Sequence, residues 1–487
     1  MSARDHAPTA CLRWLAPGLL LLIAGCSLAP NYHPPSVTVP AEYKPAANDR
    51  WTPATPADHV SRGAWWTVYG DARLDTLEKR LLAHNADLAE AAANEQRSQA
   101  YLDQLQAGLF PTLSANGQVQ PGRDSPNRPL KGPSTPVNYK DIAIGGQLNY
   151  ELDLWGRVRN KVASGRAKAQ AAQADLASTQ LSLAARLADT YLALSGLDRR
   201  IALLSDRVAA YRRSLDLVTR RHGAGLAAGV DVFRARTQLK AAKARVARDQ
   251  SQRATLVNAI AVLVGTPASN FSLAPQTRLA DLPIIPTGVP STLLQRRPDI
   301  AAAERQTAAA NARIGVAQAA YFPDITLGLG GGFNSGSFDN LLTAPSRYWT
   351  LGPSLMFAIF DAGRRRAKVE QAKAATDAAA ARYRATVLQA FGQVEDARAQ
   401  IVNLGAAWQQ QKDAADAAAR TVDLSTTRYR RGLADYIEVS TAQADALDAR
   451  SEQIRIETDQ LRASVALIRA LGGGWASAGS ERNNRPS

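Results

Sequence analysis

The sequence predicts a mainly helical α+β chain that is written twice. Three observations carry this reading. Residues recur at a fixed offset, two very long stretches lack proline, and short segments alternate apolar with polar residues. None of the 25 prolines lies between Pro136 and Pro267, or between Pro353 and Pro486. Proline costs about 3 kcal/mol inside a helix, so gaps this long predict two very long helical stretches. With 46% hydrophobic and 21% charged residues, the 487-residue chain is not wholly disordered. Two cysteines, Cys11 and Cys26, are too few for a disulfide or zinc framework.

Residues 1–25 read as a signal peptide. Arg4 and Arg13 form a basic start, and Trp14 to Ala24 form an apolar run too short to span a bilayer. The run ends in Leu22-Ile23-Ala24-Gly25-Cys26, which resembles the bacterial lipobox. That resemblance implies a covalent lipid on Cys26, which becomes the first mature residue, and Ser27 after it implies outer-membrane sorting. Multiple acyl chains anchor stably. The alternative is a plain signal peptide with an incidental cysteine. Residues 26–60 are proline-rich and aperiodic, and read as a lipidated tether.

The duplication fixes the domain plan. Leu81, Asp87, Ala91, Gln106 and Phe110-Pro111 recur 212 residues on, as Leu293, Asp299, Ala303, Gln318 and Phe322-Pro323. Gly156-Arg157, Asp189, Gly225-Leu226, Val232 and Gly265 recur 207 residues on, as Gly363-Arg364, Asp396, Gly432-Leu433, Val439 and Gly472. The first copy thus holds five extra residues between Pro111 and Gly156, which points to a loop. Residues 61–271 and 272–475 are the two repeats, and 476–487 read as a disordered tail.

Each repeat predicts a helix, two strands and a helical hairpin. The strands are placed at about 111–120 and 139–154, then 323–333 and 348–360. Over 142–154 the even positions are Ile, Ile, Gly, Leu, Tyr, Leu and Leu, and the odd ones are mostly polar. Tyr139, Tyr150, Trp155, Tyr348 and Trp349 cluster near strand ends, as in an interfacial aromatic girdle. The loops at 121–138 and 334–347 are long for a soluble hairpin. A soluble two-sided sheet is the alternative. If the strands lie in a membrane, four cannot close a barrel, and open edges in lipid cost several kcal/mol per unsatisfied group. Three chains sharing one barrel would supply twelve strands.

The helical hairpins are expected at 157–265 and 364–471. Each long arm would measure about 100 Å at 1.5 Å per residue. Gly196 and Asn403-Leu404-Gly405 mark candidate breaks. Glycine turns close the hairpins at Gly223-Ala224-Gly225-Leu226 and Gly432-Leu433.

Four segments resemble the TolC/OprM/NodT outer-membrane factors, most closely the lipidated OprM/NodT branch. They are Tyr150-Glu151-Leu152-Asp153-Leu154-Trp155-Gly156-Arg157, Phe360-Asp361-Ala362-Gly363-Arg364, Gln295-Arg296-Arg297-Pro298-Asp299-Ile300 and Ala470-Leu471-Gly472-Gly473-Gly474-Trp475. The likeness spans nearly all of residues 60–475. It implies a homotrimer whose 12-stranded transmembrane β-barrel continues into a long periplasmic α-helical barrel. It also implies a passive exit duct for small molecules or drugs, lipid-anchored in the outer membrane, docked to a periplasmic membrane-fusion adaptor and an inner-membrane pump. The tips, 222–231 and 429–438, would narrow the lumen and meet the adaptor. Gly223, Gly225, Leu226, Gly432, Leu433 and Ala434 are the expected adaptor contacts. Asp231, Tyr429, Arg431, Asp435 and Glu438 are the expected aperture residues, and Asp231 and Glu438 are repeat partners. The chain departs from the family latch, with Ala434 at an Arg position and Thr441 at an acidic one, and Asp435 is the candidate substitute.

Enzyme chemistry is not expected. The histidines at 6, 33, 59, 84 and 222 lack metal-ligand spacing, and no nucleotide or nucleophile motif stands out. No cofactor is expected beyond the lipid on Cys26. The net charge of +15 would suit nucleic acid, but export removes the chain from it. Arg364-Arg365-Arg366 starts just below a predicted strand, where outer-membrane lipid headgroups would lie. Two further readings stay open: a non-conducting periplasmic coiled-coil lipoprotein, and a type I secretion duct. The cargo also stays open among antibiotics, aromatic acids, dyes and metal ions.

Overall fold

The computed structural model describes residues 27–38, 63–127, 129, 132, 136–285 and 296–473. The expected signal peptide, Cys26, residues 39–60 of the tether, Gly474-Trp475 and the tail lie outside the described residues. The chain divides into two compact units, and each is best understood by itself. In chain order the elements are α1 (Ala72–His84), α2 (Ala86–Ala107), β1 (Thr112–Arg123), β2 (Asn138–Glu151), α3 (Arg157–Gly223), α4 (Gly229–Leu263), α5 (Pro298–Ala319), β3 (Asp324–Ser335), β4 (Arg347–Met356), α6 (Arg364–Arg430) and α7 (Tyr436–Ala470). The copies match closely in length. The long helices α3 and α6 each have 67 residues, and α4 and α7 each have 35, so the length difference lies outside the hairpins.

The first unit takes in residues 95–172 and 302–383 with the N-terminal segment. Its four strands form one antiparallel sheet in the order β1-β2-β3-β4. The register puts Leu113 opposite Leu148, Leu148 opposite Leu329, and Leu329 opposite Leu351. The neighbouring row is Ser114, Gln147, Gly330 and Thr350. One face is therefore apolar right across the sheet and the other polar, as period-two alternation requires. The strands differ from expectation at their ends. β4 stops at Met356, opposite Asp324, instead of reaching 360. Pro323 precedes Asp324 and has no N–H to continue the ladder. β1 instead runs on to Arg123 through Pro121, which an edge strand tolerates, and Pro353 likewise sits in edge strand β4.

The junction from β2 to α3 explains the first family-like segment. Gly156 has φ +72°, a left-handed turn that glycine adopts without a Cβ penalty. Asp153 caps α3, accepting from the backbone N–H of Val158 at 2.9 Å and Arg159 at 2.8 Å. Arg157 donates to both oxygens of Glu151. Trp155 stacks on Phe322 at 4.5 Å and donates to the Pro323 carbonyl at 3.0 Å. In the second copy Asp361 plays the capping part, accepting from Arg365 N–H at 3.1 Å and pairing with its guanidinium at 2.8 Å.

The second unit holds the main apolar core, built from Trp65, Trp66, Leu74, Leu81, Leu187, Ile260, Leu467, Ile468 and their neighbours. Asp71 ties several elements together. It caps α1 through Arg73 and Leu74 N–H, and accepts from the Tyr191 hydroxyl at 2.7 Å and Gln276 at 2.9 Å. The buried Arg297 donates to the terminal carbonyl of α7, Ala470, at 3.0 Å and pairs with Asp299 at 2.6 Å. Neither Gly196 nor Gly405 breaks its helix. A Cβ on Gly196 would lie 2.1 Å from Thr458 Oγ1, and one on Gly405 would lie 2.9 Å from Gln460. Both glycines serve close helix approach instead.

All four hairpin-arm helices end in the same way. In α3, Leu226 N–H bonds the Arg221 carbonyl and Gly225 N–H bonds that of His222, with Gly225 at φ +73°. The pattern recurs at Gly265, Gly432 and Gly472. This is the Schellman arrangement, whose left-handed residue favours glycine. Gly225→Ala should cost about 1 kcal/mol, since the space there is open. Gly265→Ala should cost about 3 kcal/mol or more, because its Cβ would meet the His84 carbonyl oxygen at 2.2 Å. Thermal unfolding of the purified protein checks the difference.

Burial pushes the Asp71 carboxyl up, but its hydrogen bonds outweigh this and hold it below its ordinary 3.8. A depressed carboxyl contributes stability that is full above the unfolded value and lost as pH falls through the folded one. Amide exchange in α1 should therefore accelerate below about pH 4, and Asp71→Asn should flatten that dependence.

Candidate functional site at the helical tips

The two hairpin turns lie within the second unit. Gly223 closes α3, and the chain turns through Gly225 before α4 begins at Gly229. Leu226 and Leu433 occupy equivalent places one residue after their left-handed glycines, 68% and 66% exposed. A Schellman turn commonly tucks this residue against its own helix. Here both leucines point outward, and Ala434 is half-buried beside the second.

Behind the turns, Val218, Ala235, Tyr429, Tyr436 and Val439 pack into a small core. Tyr429 and Tyr436 meet edge-to-face at 5.6 Å. Arg221 lies 4.6 Å over the Tyr429 ring and donates to the Tyr429 carbonyl at 3.0 Å. This pins the first hairpin to the second through a cation–π contact and a hydrogen bond. The Tyr429 hydroxyl is buried and unbonded in the chain. Burial raises its pKa, Asp231 adds to this, and Arg221 opposes it. Burial likewise pushes Tyr436 up to about 12, so both phenols are neutral at physiological pH.

The expected carboxylates sit in first helical turns, Asp231 on α4 and Glu438 on α7, where they complement the helix dipole. Asp231 lies 3.6 Å from Arg234. Glu438 lies 3.7 Å from Arg428, which also donates to the Leu433 carbonyl at 3.4 Å. Asp435 is the N-cap of α7, but its side chain makes no capping bond. Arg431 is exposed, and only its backbone joins the turn. The structure thus brings Arg428, not Arg431, to Glu438, and adds Arg221 and Tyr436, which sequence reasoning missed. The signal for the two arginines was present, since Arg221 and Arg428 share the 207-residue offset.

The comparisons with known proteins agree with this architecture. A model of the outer membrane efflux protein family matches residues 77–266 and 289–473, one match per repeat. The chain therefore belongs to the outer membrane efflux protein family, and it is an outer-membrane component of efflux. It is 32% identical over 468 residues to the probable efflux pump outer membrane protein TtgC of Pseudomonas putida, covering 96% of each chain. It is 31% identical to outer membrane protein OprJ of Pseudomonas aeruginosa, covering 94% of this chain and 95% of the other. The solved outer-membrane channel OprN superposes with a TM-score of 0.82 at 31% identity, covering 92% of this chain and all of that one.

Arg221→Ala should destabilise the tip by about 1–2 kcal/mol, since it removes both a desolvated cation–π contact and a hydrogen bond. Arg428→Ala should cost under about 1 kcal/mol, because its partner is exposed. Hydrogen exchange across 215–240 and 425–440 should separate the two.

Proposed function

We propose that this chain is the passive, non-catalytic exit duct of a tripartite efflux system, assembled as a homotrimer. The observation that supports this most directly is the sheet. It has four strands, two open edges and one apolar face, with Leu113, Ile144, Leu329, Trp349, Leu351 and Leu355 exposed in the single chain. A lipid-facing sheet with open edges leaves backbone groups unsatisfied, so it must close on further copies. Three copies give twelve strands, an even number within the range of membrane barrels. The polar face then lines the lumen. A lipid on Cys26 fits the described N-terminus, where Ser27 donates to Asn160 at 2.9 Å in the first turn of α3. The anchor would thus sit beside the strand-to-helix junction, at the height where a membrane surface is expected.

The partners in this reading are a periplasmic adaptor and an inner-membrane pump, and small molecules are the cargo. Gly223, Gly225, Leu226, Gly432, Leu433 and Ala434 form the adaptor contacts, because exposed apolar tips mark interfaces. Asp231, Tyr429, Arg431, Asp435 and Glu438 serve the aperture. The Tyr429 hydroxyl, unbonded among the described residues, is the group left to bond a neighbouring protomer, and Asp435 makes no capping bond of its own. Rings of three Asp231 and three Glu438 carboxylates would favour cations.

The purified protein should migrate as a detergent-stable trimer and conduct in planar bilayers. A monomer without conductance would overturn the reading. Leu433→Asp should abolish adaptor cross-linking and lower export while leaving the trimer intact. Asp231→Asn with Glu438→Gln should reduce cation over anion permeability, read as a shifted reversal potential.

A further inference from the structure

The first unit contains a second charged feature, separate from the tips. Lys161 and Lys168 on α3 and Arg313 on α5 line a cavity of about 290 Å³, closed on one side by Tyr101, Leu105 and Val316. No acidic residue lines it. Among the described residues none of the three cations forms an ion pair, whereas Arg157, one turn before Lys161 on the same helix, is paired with Glu151. Burial first and the nearby Arg157 second depress the Lys161 ammonium, and burial and Arg313 do the same to Lys168. Glu151, Asp324 and Asp153 partly offset the field at Lys161, but three cations sharing one cavity without an ion-pair partner still favour the arrival of an anion.

The cavity also has a defined side. Arg157, Lys161 and Lys168 follow one stripe of α3 at helical spacing. Arg157 is bound to Glu151, which sits in the polar register row with Thr326 and Ser354. The stripe therefore continues the polar face of the sheet. Gly165, on the same stripe, has no side chain to fill the space, and a Cβ there would lie 2.5 Å from Leu105.

We infer that Lys161, Lys168 and Arg313 form a binding station for aromatic organic anions on the conducting wall. The cations take a carboxylate or sulfonate, and Tyr101, Leu105 and Val316 take the ring. That the wall conducts rests on the function proposed above; the pocket itself does not.

Salicylate is a suitable probe. Calorimetry on the full chain in detergent should show saturable binding of one salicylate per chain, with benzyl alcohol and inorganic phosphate at least about tenfold weaker. Each of Lys161→Gln, Lys168→Gln and Arg313→Gln should weaken salicylate by up to about fivefold, and the triple substitution should remove saturable binding. Lys168→Arg should keep it, and Arg420→Gln, which removes an exposed charge elsewhere, should change nothing. Binding that is absent, survives the triple substitution, or is matched by phosphate overturns the station. Bilayer recordings separate the two readings. A protein that conducts without binding salicylate sinks the station alone, and one that binds salicylate without conducting sinks the duct.

Discussion

The structure depends on one constraint, which is that a backbone N–H or carbonyl cannot be left unpaired in lipid. The four-stranded sheet meets it along three ladders and fails it at two edges, β1 and β4. Its outer surface is apolar from Leu113 through Leu148 and Leu329 to Leu351, so water cannot cover that face without loss. Most soluble proteins blunt an edge strand with charge, a bulge or a covering helix. Here the edge strands carry Pro121 and Pro353, which remove one donor each, and one terminal arginine each, Arg123 and Arg347, which leaves most of both edges unprotected. Self-association is thus required by the fold and is not an addition to it.

Duplication meets that requirement economically. One strand pair followed by one helical hairpin, made twice, supplies a third of a closed wall. What the copies share is geometry. The left-handed glycines at 225 and 432, and at 265 and 472, keep the same hydrogen-bonded helix ends. What they do not share is tip chemistry. Tyr429 stands where the first copy has His222, and Tyr436 stands where it has Gly229. The second hairpin therefore carries the aromatic pair, and the first supplies Arg221 to hold it.

The parts legible in the sequence were those set by local periodicity. Alternation marked β2 clearly, β1 more weakly and β4 with poor contrast, because a residue's face depends only on its parity while the apolar–polar difference varies from strand to strand. Strand ends were less legible. The end of β4 is decided by its partner, where Pro323 stops the ladder opposite Met356, and nothing in 357–360 announces that. Gly196 was misleading for a related reason. A mid-helix glycine signals either a weak point or a close neighbour, and only the packed Thr458 decides between them. At the tips, resemblance named positions, whereas ion pairing depends on which side of a helix end faces a charge. So Glu438 was legible and its partner Arg428 was not, although the repeat offset to Arg221 pointed to both.

A duct without an energy source can bind its cargo only weakly. Conduction needs sites favourable enough to enter and weak enough to leave. Charge placement in the first unit suits that condition. Four cations follow the start of α3 and the facing part of α5, but Arg157 is already taken by Glu151. Asp324 and Asp153 further offset the field at Lys161. The remaining cations are partly hydrated, where an ion pair is worth about 1 kcal/mol or less, and several together give millimolar rather than nanomolar affinity. A deeply buried bidentate arginine would hold an anion too long. The apolar side of the cavity covers one face of the ring and adds about 1–2 kcal/mol, which sets the preference for an aromatic anion over a bare one while the total stays weak.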